Sequence, residues 1–273
     1  MNAPPERSAE HALPVSRRQL FGFVGGVGLT GALAGCSTKT TASPLPGQSS
    51  PSSADTPTAA TPTPPTVNPQ PSPPAPRATA AQLLCRDAWG ARAARPGGKP
   101  HTPNRLTLHH AGVVLGANSN APGRLRQDQR YHQDQLGWID IAYHLGIDRN
   151  GNIYQLRDPG IAGDTATDYD TTGHFLVICE GDFNQESVSP AQVRGIAIAF
   201  AWAAQTYRIA TGTLKGHRDF AETSCPGTNL YAQLSSGELR AQIDSLLAAG
   251  GVDLQPFCGP EAVARVRAIE AGN

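Results

Sequence analysis

The chain has 273 residues, with 22 Lys plus Arg against 22 Asp plus Glu, and so no formal net charge. That balance gives no case for nucleic-acid binding or for charge-driven attachment to acidic lipid. Half of the 24 prolines fall in one early stretch, so only part of the length is available for a packed core.

Residues 1–35 read as an export signal. Ser16-Arg17-Arg18-Gln19-Leu20-Phe21 precedes an uncharged Gly/Ala-rich apolar run from Gly22 to Gly35. The run is short for a membrane span and fits the apolar region of a signal. Paired arginines ahead of it resemble a twin-arginine signal, the route for proteins exported already folded. The run ends Leu33-Ala34-Gly35-Cys36, which resembles the bacterial lipobox. Cys36 is therefore expected to carry acyl chains and to anchor the protein to the outer face of the cytoplasmic membrane. Residues 36–81 follow as a linker. Between Ser37 and Ala80 there is no aromatic residue, three charged ones (Lys39, Asp55, Arg77) and 12 prolines. Such a segment cannot bury enough apolar surface to offset chain entropy and is expected to be disordered. As a Pro-rich spacer it would reach at most ~140 Å at ~3.1 Å per residue.

A single folded domain is expected over 82–250, with 251–273 as a C-terminal tail. Leu106-Thr107-Leu108-His109 predicts a strand. Leu125, Gln129, His132 and Leu136 fall at helical spacing, and Gly137 stops that helix. Two apolar-rich runs, 142–148 and 152–156, flank Asn150-Gly151, the strongest short hairpin signal. His174 to Glu180 predicts a buried central strand. Ser189-Pro190 supplies an N-cap and first-turn proline, after which Val193, Ile196, Ala197, Phe200, Ala204 and Tyr207 form an apolar stripe. Leu214 leads into His217, and a last helix is expected over about 237–248. Alternating strands and helices give an α/β (α+β) domain with a mixed central sheet flanked by helices.

The chemistry-bearing residues cluster at two places. His217 and Cys225 stand eight residues apart, and His109-His110 closes the first strand. One histidine of that pair with His217 and Cys225 would give Zn2+ three protein ligands and an open fourth position, the form of a hydrolytic site. Neighbouring strand residues point to opposite faces, so only one of His109 and His110 can ligate. Cys179 lies in an apolar run and reads as a small buried hydrophobe. Cys85 and Cys258 flank the domain and are a candidate disulfide, whose proximity sequence cannot show. The competing use of Cys225 is a disulfide with either of them.

These segments together resemble the peptidoglycan recognition protein family and the zinc-dependent N-acetylmuramoyl-L-alanine amidases. The matching pieces are Ala88-Trp89-Gly90-Ala91-Arg92, Leu108-His109-His110, Gly137 to His144, Asp148 to Tyr154, Glu180-Gly181-Asp182-Phe183, Gly216-His217-Arg218-Asp219 and Cys225-Pro226-Gly227. They occur in family order and span roughly 86–231. The resemblance implies zinc ligands His109, His217 and Cys225. It implies Tyr143 beside the metal, and Thr223 where relatives carry Lys or Thr near the reacting carbonyl. It implies hydrolysis of the amide between N-acetylmuramic acid and L-alanine of the stem peptide, with peptidoglycan or muramyl peptides as partners. Relatives usually carry a Gly-x-His segment before the central strand. Here Gly163-Asp164-Thr165-Ala166 has no histidine, so Thr165 or His174 takes that role, or it is lost. Ile178 stands where cytosolic recycling amidases place a Glu, so no catalytic Glu is assigned. Glu180 reads as strand-end packing or a solvated edge, and Trp89 and Trp138 as core.

The expected function is thus a lipid-anchored cell-wall amidase acting as a monomer. The competing readings are a non-catalytic peptidoglycan sensor and a zinc hydrolase of a different amide.

Overall fold

The computed structural model describes residues 77–273; the signal, Cys36 and linker residues 36–76 lie outside the described residues. The strands are β1 (Thr79–Leu84), β2 (Arg105–His110), β3 (Leu145–Ile147), β4 (Ile153–Gln155), β5 (His174–Cys179), β6 (Lys215–Gly216) and β7 (Val252–Phe257). The helices are α1 (Ala121–Asp134), α2 (Pro190–Tyr207), α3 (Thr228–Ser235), α4 (Glu238–Ala248) and α5 (Gly259–Glu270). The strands form one sheet in the order β6-β2-β5-β3-β4-β1-β7. All pairings are parallel except the β3–β4 hairpin. This is the mixed sheet flanked by helices that the sequence predicts.

Local chemistry explains the elements that were legible. Ser189 caps α2, its side chain accepting from the Gln192 N–H at 3.0 Å. The apolar stripe of α2 from Val193 to Ala204 is buried, whereas Tyr207 is only partly so. Between β3 and β4 the Asp148 carboxylate accepts from the N–H groups of Asn150 and Asn152 and from the Tyr154 hydroxyl at 2.9–3.0 Å. Gly151 completes that turn at φ +80°, and a Cβ there would lie 2.4 Å from the Ala191 carbonyl oxygen.

Alternation along the strands sorts side chains into two apolar layers. Leu106, Leu108, Phe175, Val177 and Cys179 face α2 and α4, while Ile178 faces the layer that holds Leu125 of α1 and Val266 of α5. Cys179 is a free, fully buried cysteine, as read.

The domain extends past both predicted boundaries. Thr79–Ala81, assigned to the linker, belong to β1, and 251–273, left as a tail, form β7 and α5. β1 and β7 pair in parallel along their whole length, from Thr79↔Val252 to Leu84↔Phe257. Cys85 and Cys258 are bonded just beyond that pairing. Arg126 of α1 donates to the Trp89 carbonyl at 2.9 Å and pairs with Glu270 of α5. Trp89 is buried as expected; Trp138 is half-buried and lines a cleft with Arg157 and Asp164. Among the described residues no helix is long and apolar enough to cross a membrane.

Three core histidines are held neutral. His144 accepts at Nδ1 from the Leu176 N–H at 2.9 Å and faces the Ile161 carbonyl with Nε2 at 3.1 Å. Burial pushes its pKa down to about 3, and those of His132 and His174 to about 4. Above pH 6.5 these rings are neutral in folded and unfolded chains alike. As pH falls from 6.5 towards 4, the unfolded chain takes up protons that the folded chain refuses, so stability falls through that window. Each ring contributes a slope of up to about 1.4 kcal/mol per pH unit. Urea unfolding at pH 7, 5.5 and 4.5 should show a steadily falling midpoint; an unchanged midpoint would contradict the neutral assignment.

Candidate metal centre

The carboxyl ends of β2, β5 and β6 lie side by side, the end of an open α/β sheet where ligands bind. β2 delivers His109 and His110 there, and β6 delivers His217 through a short 3-10 turn over His217–Asp219. Asp219 fixes that turn: its carboxylate accepts from the Gly216 N–H at 2.8 Å and from the Tyr231 hydroxyl at 2.6 Å. Cys225 returns to the same place after a bend in which its N–H donates to Thr223 Oγ1 at 3.2 Å. Gly227 lets this segment press on the next loop, since a Cβ there would lie 2.6 Å from the Phe183 backbone carbon and its φ is +87°.

One ligand atom each from His109, His217 and Cys225 lies within 4.8 Å of the others. Cys225 Sγ is 3.7 Å from His109 Nδ1, and the two imidazole rings are 4.6 Å apart between centroids. All three residues are buried. Burial, then the neighbouring His217, holds His109 well below its ordinary pKa; burial brings His217 to about 4. Both imidazoles are therefore neutral at pH 7, with a lone pair available for a metal. Burial pushes the Cys225 thiol up to about 12, opposed by the N–H of His110, which donates to Sγ at 3.4 Å. A cation bound here would favour the thiolate that burial disfavours. Two neutral imidazoles and a thiol form a donor set of the kind zinc takes, three protein donors where a structural zinc site has four. Among the described residues the other close group is Cys85, Asp87 and Cys258, where the two cysteines are bonded to each other.

His110 points to the opposite face. Its Nδ1 accepts from the Phe183 N–H at 3.3 Å, and its ring packs near that phenyl. Its contribution to the centre is the backbone N–H on Cys225. Tyr143 is half-buried with its ring 5.1 Å from that of His109, and burial holds its phenol well above the usual pKa. It borders a cavity of about 350 Å³ that Ala111, Val113, Arg124, Asp128 and Tyr131 also line. Thr223 is half-buried, and its oxygen accepts the Cys225 N–H.

His174 is buried against Phe220 and Tyr169, its Nδ1 2.8 Å from the Thr107 hydroxyl. Its ring is thus committed to packing. Thr165 reaches His217 through Thr167, and Tyr169 sits over His109 and His217, with ring centroids 5.1 Å from His217. Thr167 and Tyr169 carry no motif or periodicity that would single them out in sequence. Glu180 is not at a solvated edge: it is fully buried, neither carboxylate oxygen has a partner, and burial raises its pKa well above the usual range.

Helices on both faces of a largely parallel sheet, with a His-His-Cys group at the carboxyl ends of central strands, define an α/β domain with a candidate open metal site. Residues 99–228 match the family described as N-acetylmuramoyl-L-alanine amidase. Peptidoglycan-recognition protein SC2 of Drosophila melanogaster is 30% identical over 56% of this chain and 84% of its own length. Peptidoglycan-recognition protein LB of the same fly is 32% identical over 57% of this chain and 68% of its own. The solved structure of Drosophila PGRP-LB superposes with a TM-score of 0.52 at 29% identity, covering 58% of this chain and 94% of that one. A PGRP-LB mutant solved in complex with tracheal cytotoxin gives 0.51 at 28%, covering 56% and 93%. The chain belongs to the family of peptidoglycan recognition proteins and N-acetylmuramoyl-L-alanine amidases.

Proposed function

We propose that this chain is a zinc-dependent N-acetylmuramoyl-L-alanine amidase that splits the amide between N-acetylmuramic acid and the L-alanine of the stem peptide. The observation that carries it is the convergence of His109, His217 and Cys225, from segments about a hundred residues apart, on one buried point bordered by Tyr143. Zinc in such a site lowers the pKa of bound water to about 7 and polarises a carbonyl. The chain's own groups do the rest. The two neutral imidazoles and the Cys225 sulfur, as thiolate, would hold the metal. The Tyr143 phenol, kept protonated by burial, is a donor for the oxygen on which charge develops. Thr223 Oγ1 accepts the Cys225 N–H, which leaves its hydroxyl hydrogen for the same oxygen.

Tyr143→Phe is expected to lower kcat by about 10²–10³, the size of one lost oxyanion donor, with zinc content unchanged. Equal loss of bound zinc would reassign Tyr143 to structure. The function itself is tested with the full chain, its zinc quantified, on a defined muramyl peptide read by mass spectrometry. Release of an intact stem peptide beginning at L-alanine is expected. Cleavage inside the stem peptide would point to a different hydrolase.

One observation favours a second reading, a peptidoglycan-binding sensor: the segment that usually offers Gly-x-His carries Thr165. Tight binding of muramyl peptide by zinc-loaded protein without turnover would establish it.

The same reading places the domain outside the cytoplasmic membrane, exported by the residue 1–35 signal and tethered through lipid at Cys36. The Cys85–Cys258 bond supports an oxidising compartment. Residues 36–76 would then serve as the spacer, with the enzymatic domain running from β1 through α5.

A further inference from the structure

We propose that the segment between Gly163 and His174 positions the two ligand histidines, with Thr167 and Tyr169 each bonding the ring nitrogen that faces away from the metal and Thr165 orienting Thr167. This rests on the metal site proposed above. Thr167 Oγ1 lies 2.6 Å from His217 Nε2, and Tyr169 OH lies 3.4 Å from His109 Nε2. On His109 the other nitrogen, Nδ1, is the one turned to Cys225 Sγ. With its Nε2 bonded to Thr167, His217 likewise has Nδ1 left for a metal.

With His217 ligating through Nδ1, the protons along this chain run in one consistent direction. A neutral imidazole carries a single N–H. A His217 that ligates through Nδ1 carries it on Nε2, which donates to Thr167 Oγ1. The Thr167 hydroxyl hydrogen is then free to donate to Thr165 Oγ1, 2.7 Å away. Thr165 Oγ1 also accepts the backbone N–H of Thr167 at 3.1 Å, so it faces Thr167 with its lone pairs. In that arrangement the chain of donors ends in the Thr165 hydroxyl and supports the His217 tautomer that leaves Nδ1 for the metal. Groups of this kind behind a metal ligand typically hold a 10–100-fold share of metal affinity.

The segment is built to hold these positions. Thr171 Oγ1 donates to the Gly163 carbonyl at 2.7 Å, closing the loop on itself. Arg157, almost wholly buried, pairs with Asp164 and donates to the carbonyls of Ala162 (2.6 Å) and Ile141 (2.8 Å). Its guanidinium thereby ties the loop to the segment that carries Tyr143. Phe220 stacks on Tyr169 at 5.7 Å, setting the phenol over the histidines. Thr165 stands where relatives usually carry the Gly-x-His imidazole; in this chain that position orients a ligand's support.

The test is zinc affinity by competition with a chromophoric chelator, with the visible spectrum of the cobalt(II) form, on full-length wild type, Thr167→Val, Thr167→Ser and Thr165→Val. Valine keeps the shape and removes the hydroxyl. Thr167→Val is expected to bind zinc about 10–100-fold more weakly and to shift the cobalt bands. Thr167→Ser should stay within about threefold of wild type, since the hydroxyl remains. Thr165→Val should weaken binding by a smaller factor and carries the test if the Thr167→Val chain does not fold. Wild-type affinity and an unshifted cobalt spectrum in the valine variants would overturn the positioning role while leaving the metal site intact. A wild-type chain that binds no zinc would overturn both readings.

Discussion

Replacing Cys225 by serine is expected to remove the proposed zinc binding and with it the proposed amidase activity, leaving the fold in place. Three protein ligands would hold the proposed ion, so losing one costs a third of the protein donors and the only anionic one among them. The sulfur sits in a buried position that raises the free thiol to about 12, so metal binding must displace its proton. Serine, with a far less acidic hydroxyl, cannot supply that anion. Activity on a muramyl peptide should fall by at least about a thousandfold, since without the metal water is no longer brought near pH 7 as a nucleophile. Bound zinc should drop from about one per chain to near zero. The metal-free melting temperature should barely move, because the thiol accepts a single backbone N–H, from His110, and serine can accept it too. A Cys225→Ser chain that still releases stem peptide at the wild-type rate would remove the metal from the proposed chemistry altogether.

The site was legible where its residues come in short, ordered segments. Cys225 lies eight residues after His217, and turn-forming residues between them bring the chain back on itself. The choice between His109 and His110 needed more than residue type. Strand alternation allows either, and pairing of His109 with Ile178 against the α1 layer decides it. Thr167 and Tyr169 were not legible, because a supporting hydroxyl in a loop has no spacing rule; only its 2.6 Å approach to His217 Nε2 reveals it.

The fold shows the same division. The Asn150-Gly151 hairpin and the Ser189-Pro190 cap are local signals and fell where expected. β1 was missed because Thr-Ala-Ala-Gln-Leu-Leu directly follows a Pro-rich stretch and β7, the partner it pairs with along its whole length, begins more than 160 residues later. Helix α5 did carry a signal, since Ala262, Val266 and Ile269 recur at helical spacing and are all buried. A short helix at the chain end looks dispensable until its partners Leu84, Trp89 and Tyr154 are known to lie under it.

That arrangement sets the second large effect, on stability. Cys85 and Cys258 join points 173 residues apart in sequence, with Cα atoms 5.0 Å apart. In the chain-entropy account a loop of that length restricts the unfolded chain by about 5 kcal/mol, and measured losses of native disulfides run about 2–5. The bond is not alone at the junction: Cys85 N–H donates to the Phe257 carbonyl at 3.0 Å and Gly259 N–H to Asp87 at 3.1 Å. Those bonds and the apolar face of α5 should keep the native fold on the folded side when the disulfide is absent. Cys258→Ser is therefore expected to lower stability by about 3–4 kcal/mol and Tm by about 10 °C for a domain of this size. Zinc affinity should be unchanged, because β5, β3 and β4 separate the β1–β7 edge that carries this bond from β2 and β6. Melting curves with and without a phosphine reductant, which does not chelate zinc, test this directly. Wild type should melt lower when reduced, and Cys258→Ser should not respond. A wild-type melt indifferent to reduction would show that β7 and α5 hold the domain closed by packing and hydrogen bonds alone.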